Sequence, residues 1–81
     1  MKIIVNSFGQ VKDFHDQKFE IEVADSATIE TLFEKLVEMR PESKNLLENC
    51  RIAVDDIIIY EKEFELKNNQ EVFIMPPFSG G

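Results

Sequence analysis

A chain of 81 residues, 43% of them hydrophobic and seven of them phenylalanine, has room for one small packed core and no second domain. Sixteen acidic against nine basic residues leave a net charge of -7, which repels phosphate backbones and anionic lipid and so argues against nucleic-acid and membrane roles. The single cysteine, Cys50, excludes an intrachain disulfide and a Cys-based zinc cage, and the longest apolar runs are four residues, far below the ~20 that span a bilayer. These features predict a soluble protein of a reducing cytoplasm, with Cys50 a buried structural thiol and no metal site.

Residues 1–8 read as a first strand, with Ile3 and Val5 on one face, Lys2 and Asn6 on the other, and Ile4 breaking the alternation. Gly9 and the polar stretch to Gln17 form a turn and loop, in which His15, the only histidine, is expected to be solvated beside Asp13 and Asp16. Residues 18–23 alternate cleanly, placing Phe19, Ile21 and Val23 toward a core and completing a hairpin. Thr28 is the expected N-cap of a helix, with Glu30 in its first turn and Ile29, Leu32, Phe33, Leu36 and Val37 forming one apolar stripe. Pro41 ends that helix by disfavouring helical geometry at Arg40, and residues 42–49 have the pattern of a short helical turn.

Two short strands are expected at 51–54 and 57–60 around an Asp55-Asp56 turn, and the polar run Lys67-Asn68-Asn69-Gln70 turns into a final strand at 71–75. One main helix over a sheet is an α+β two-layer arrangement. Because one helix covers one face, large apolar side chains of the last strand are expected on the other, unless that strand is central and a loop covers its second face. Ile4, Phe8, Phe73 and Met75 are therefore the expected apolar patch for a partner.

The chain closes with Pro76-Pro77-Phe78-Ser79-Gly80-Gly81. Two prolines favour an extended segment that cannot continue a ladder, and two glycines carry no Cβ, so the end can enter a narrow channel. Six extended residues reach at most roughly 20 Å. No nucleophile motif or glycine-rich phosphate loop is present, which leaves the Gly81 carboxylate as the reactive group. A carboxylate of this kind can attack the α-phosphate of ATP when another protein holds both. The resulting anhydride passes its acyl group to a persulfide, leaving a thiocarboxylate, or to a cysteine thiol, giving a thioester.

The tail Ile74-Met75-Pro76-Pro77-Phe78-Ser79-Gly80-Gly81, the opening Val5-Asn6-Ser7-Phe8-Gly9, the helix after Asp25 and the Ala53-Val54 pair occur in the order and spacing of one family. Over its whole length the chain resembles the small subunit of molybdopterin synthase, a ubiquitin-like β-grasp sulfur carrier. It departs from that pattern at Asp55, where Asn is common, and at Asn68-Asn69-Gln70-Glu71, where the family has an acidic turn with glycine.

The resemblance implies a mixed sheet packed on one main helix over residues 1–75, with an extended diglycine tail at 76–81. It implies that an E1-like adenylating enzyme activates Gly81 with ATP, and that a sulfur-donor enzyme then converts it to a thiocarboxylate. The tail would thread the large synthase subunit through Gly80 and Ser79, aimed by Pro76, Pro77 and Phe78, and deliver sulfur to cyclic pyranopterin monophosphate within a heterotetramer. On its own the chain would be no enzyme and would hold no permanent cofactor. A thiamine-pathway sulfur carrier, a ubiquitin-like protein modifier and a plain β-grasp interaction module are the competing expectations.

Overall fold

Alternation decides the first hairpin. In a computed structural model that describes residues 1–77, strand β1 (Lys2–Ser7) buries Ile3, Val5 and Ser7 and leaves Lys2, Ile4 and Asn6 partly exposed. Strand β2 (Lys18–Glu22) pairs with it antiparallel, Ile3 opposite Ile21 and Val5 opposite Phe19. Helix α1 (Ile29–Met39) starts where its cap chemistry requires: Thr28 is extended, and its side chain accepts from the Thr31 backbone N–H at 3.2 Å. Ile29, Leu32 and Leu36 are buried, with Phe33 and Val37 flanking them. Each fully buried Leu or Ile side chain contributes roughly 1.5–3 kcal/mol relative to exposure.

Pro41 ends α1 as expected and opens a 3-10 turn, Pro41–Ser43, that runs into a one-turn helix α2 (Lys44–Glu48). The helical layer therefore has two members, with Leu47 of α2 buried in the shared core. Strands β3 (Arg51–Val54) and β4 (Ile57–Ile59) form a tight hairpin, and β5 (Glu71–Met75) closes the fold. The strand order is β2-β1-β5-β3-β4. β5 runs parallel to β1 and antiparallel to β3, so the last strand is the middle of a mixed sheet.

Two turns are left-handed and joined. Asp55 and Asp56 have φ of 49° and 73°, the backbone of a two-residue hairpin turn of type I′, and Asn69 has φ 70°. Asp55 accepts from the Glu71 backbone N–H at 3.3 Å and from Gln70 Nε2 at 3.2 Å, which ties the β3–β4 turn to the start of β5.

His15 is not solvated. It is 6% exposed, its ring stacked on Phe19 at 6.1 Å and its Nε2 3.5 Å from Ser43 Oγ. The reason is the preceding loop. A 3-10 turn, Gly9–Asp13, buries Val11 in the core, so the chain folds back toward the α1–α2 junction, where Arg40 donates to the Phe14 carbonyl at 3.3 Å. Burial lowers the pKa of His15 and the Arg40 cation lowers it further, against an opposing pull from Asp16.

Folded His15 thus holds its proton less well than unfolded His15, whose pKa is about 6.5. As pH falls below that value the unfolded chain takes up the proton first, so stability declines until folded His15 also protonates. Denaturant titrations across this window are expected to show that decline, and His15→Gln is expected to flatten it. Asp56→Gly removes a side chain from a left-handed position and is expected to raise stability by about 0.5 kcal/mol in urea denaturation, an unchanged or lower value counting against strain at that turn.

Candidate functional site: the tail base and the open sheet face

The tail leaves from the end of β5, next to the end of β1. Phe8 N–H donates to the Ile74 carbonyl at 3.2 Å, so the β1–β5 ladder extends one residue past β1 before the chain turns at Gly9. Gly9 has φ +53°, and a Cβ built there would lie 2.8 Å from Pro76 Cγ. Gly9 is thus the seat of Pro76: a side chain at this position would both strain the backbone and push the first tail proline away. The glycine reads from sequence as a turn residue. Its contact with Pro76 is visible only once β1 and β5 lie side by side.

The sheet face turned away from the helices carries the expected patch residues. Phe8 is 44% exposed and stacks on Phe73 at 6.1 Å, while Ile4, Phe73 and Met75 are partly exposed. Strand register places Asn6, Phe73, Ala53 and Ile58 in one row across this face, with Met75 opposite Arg51 in the next. Ala53 and Ile58 belong to the same surface, although only pairing reveals them. Ile4 lies toward the other end, opposite Glu71, whose Oε1 accepts from Asn6 Nδ2 at 3.0 Å and lies 3.9 Å from Lys18 Nζ. An apolar strip next to the tail is therefore edged by Lys18, Glu71 and Arg51. Pro76 and Pro77 follow β5 directly, whereas the expected tail residues Phe78, Ser79, Gly80 and Gly81 lie outside the described residues.

The other chemically active side chains are engaged in structure. The Cys50 thiol is half-buried, donates to the Leu46 carbonyl at 3.2 Å, and has its pKa pushed up by burial to about 11, so it stays protonated at neutral pH. Ser43 Oγ donates to the Arg40 carbonyl at 2.6 Å. A hollow of about 690 Å³ lies on the helical side between Phe33, Val37 and Leu47, away from the tail base. Among the described residues no cluster of His, Cys, Asp or Glu is arranged to hold a metal, and no helix is long and apolar enough to cross a membrane.

Residues 5–81 match the model of the ThiS family, which covers nearly the whole chain and the entire tail. The chain belongs to the ThiS family. Its ubiquitin-like β-grasp fold is shared with solved structures of proteins described in two different ways. A putative molybdopterin converting factor subunit 1 from Pyrococcus furiosus superposes with a TM-score of 0.85 at 22% identity, covering 95% of this chain and 98% of that one. The chain is also similar to a protein in the complex of subunits 1 and 2 of the molybdopterin-converting factor from Helicobacter pylori 26695, at 26% identity and a TM-score of 0.71, with both chains fully covered. SAMP1 from Haloferax volcanii shares the fold at a TM-score of 0.85 and 14% identity, again over the full length of both chains. No curated protein sequence matches the chain.

In this ThiS-family fold the contact between Gly9 and Pro76 is directly testable. Gly9→Ala is expected to cost about 1–2 kcal/mol, measured by chemical denaturation, and to shift the backbone resonances of Phe73 and Met75. A neutral substitution with an unmoved β5 would show that Pro76 is not seated there.

Proposed function

We propose that this chain is the sulfur-carrying small subunit of molybdopterin synthase, with Gly81 as the atom-bearing residue. The observation that carries the proposal is the combination of a ThiS-family match running to residue 81 with 26% identity over full length to a protein in a complex of molybdopterin-converting factor subunits 1 and 2. The geometry agrees with a carrier. The tail starts at the central strand, its first proline is seated on Gly9, and an apolar strip beside it offers a docking surface.

In this reading the Gly81 carboxylate oxygen attacks the α-phosphorus of ATP on an E1-like adenylating enzyme, and pyrophosphate leaves. The terminal sulfur of a donor-enzyme persulfide attacks the acyl carbon and AMP leaves. A second thiol then reduces the acyl disulfide and frees the Gly81 thiocarboxylate. Inside the large subunit the thiocarboxylate sulfur attacks a carbon of cyclic pyranopterin monophosphate and displaces an oxygen leaving group from it, and water then cleaves the acyl–sulfur bond, leaving the thiol on the product. The carrier departs as a carboxylate. Ile4, Phe8, Phe73 and Met75 dock on each partner in turn, while Pro76, Pro77, Phe78, Ser79 and Gly80 pass the end into the cleft.

Adding one residue after Gly81 is expected to abolish sulfur loading, read by mass spectrometry as loss of the oxygen-for-sulfur mass gain, with the fold unchanged. Gly80→Val is expected to block transfer through its Cβ bulk. Sulfur loading of the extended chain would sink the carboxylate mechanism. Capture of thiazole synthase, or of isopeptide-linked conjugates, in place of a synthase large subunit would assign the carrier to thiamine synthesis or to protein modification instead.

A further inference from the structure

The two edges of the sheet are built differently. β2 presents Lys18, Glu20 and Glu22, charges of the kind that keep an edge from pairing. β4 presents Ile57, Ile58 and Ile59 with no charge at all, and Tyr60 follows. Ile57 is 64% exposed, Ile58 39% and Tyr60 80%.

The backbone of β4 is also open to a partner. The two-residue turn at Asp55 and Asp56 makes Val54 and Ile57 a hydrogen-bonded pair, so Ala53 and Ile58 form a non-bonded pair and the N–H and C=O of Ile58 point away from β3. By the same alternation Ile59 bonds back to Ile52 and Tyr60 points outward. Among the described residues, no backbone bond from a turn or loop reaches Ile58 or Tyr60. Next to this edge is a hollow of about 200 Å³ whose lining combines apolar Phe33, Ile58 and Ile59 with charged Glu48, Arg51 and Lys62, large enough for one side chain.

Charge marks both ends of the edge. Asp56 precedes β4, the Asp55 carboxylate being held toward β5 by Gln70 and Glu71, and Glu61 and Glu63 follow it, with Glu48, Lys62 and Arg51 nearby. The surroundings are acidic on balance, with an uncharged centre.

We propose that the β4 edge accepts an extended segment of a partner protein as a sixth strand, with β-branched apolar residues at its centre and Lys or Arg at both ends. Backbone bonds to Ile58 and Tyr60 hold the strand, the hollow takes one of its side chains, and the flanking carboxylates select basic ends. A second copy of this chain fits poorly. Pairing β4 with its own copy, parallel or antiparallel, sets Asp55 and Asp56 or Glu61 and Glu63 against acidic residues of the other copy. This edge does not include the tail, so the inference stands independently of the sulfur-carrier reading.

The test is selection of a random nonapeptide library on the full-length chain, with amide hydrogen exchange on the selected complexes. Enriched peptides are expected to alternate Val, Ile or Thr between basic ends and to slow exchange at Ile58 and Tyr60. Ile58→Lys and Tyr60→Lys are each expected to weaken them at least about tenfold, and the exposed pair Glu61→Lys with Glu63→Lys to weaken them about as much. Tyr60 is exposed enough that its substitution leaves the fold intact. Failure to enrich, enrichment of peptides without basic ends, or binding indifferent to Tyr60→Lys overturns the proposal. A concentration-dependent dimer that Ile58→Lys dissolves also overturns it, because the edge would then belong to a second copy.

Discussion

The arrangement of the whole molecule depends on the last strand being the middle strand. β5 is hydrogen-bonded to β1 on one side and to β3 on the other, with Val72 and Ile74 fully buried between the helical layer and the sheet. The tail consequently starts at the central strand of the sheet, and its first proline, Pro76, lies against Gly9. The same centrality creates the open face. The residues that alternate with Val72 and Ile74 are Phe73 and Met75, and with both helices on the opposite side they stay partly exposed among the described residues.

Among the described residues, side-chain chemistry is spent on structure. His15 is buried on Phe19, Cys50 is bonded to a carbonyl, Ser43 caps a backbone group and Asp55 ties two turns together. A protein of this size spends its few polar groups on closing turns and helix ends, because each buried polar atom left unpaired costs more than its neighbours contribute. The ThiS-family match fits this economy, since a carrier needs a rigid body, a docking face and an aimed end.

Much of this was legible in the sequence where local chemistry decides structure. Thr28, Pro41 and the i, i+3, i+4 stripe fixed α1, and strict alternation fixed β2, because caps, proline geometry and periodicity act over a few residues. The apolar pair Phe73 and Met75 was visible for the same reason. What the sequence concealed depends on which strands are neighbours. Ala53 and Ile58 join the open face only through the β5–β3–β4 register, and Gly9 meets Pro76 only because β1 and β5 run parallel. His15 misled because its immediate neighbours are polar, whereas its burial is imposed by Val11 drawing the loop inward and by the α1–α2 junction closing over it.

The parallel pairing of β5 with β1 has a mechanical consequence. A pull directed along β5 loads the hydrogen bonds on both of its sides in shear, the slanted ones to β1 and the perpendicular ones to β3. Load in that direction is shared by several bonds in each ladder at once, rather than opening them one after another as a pull across the strands would. Force applied along β5 at Met75 is therefore expected to move the folded body as a unit before it unravels the strand.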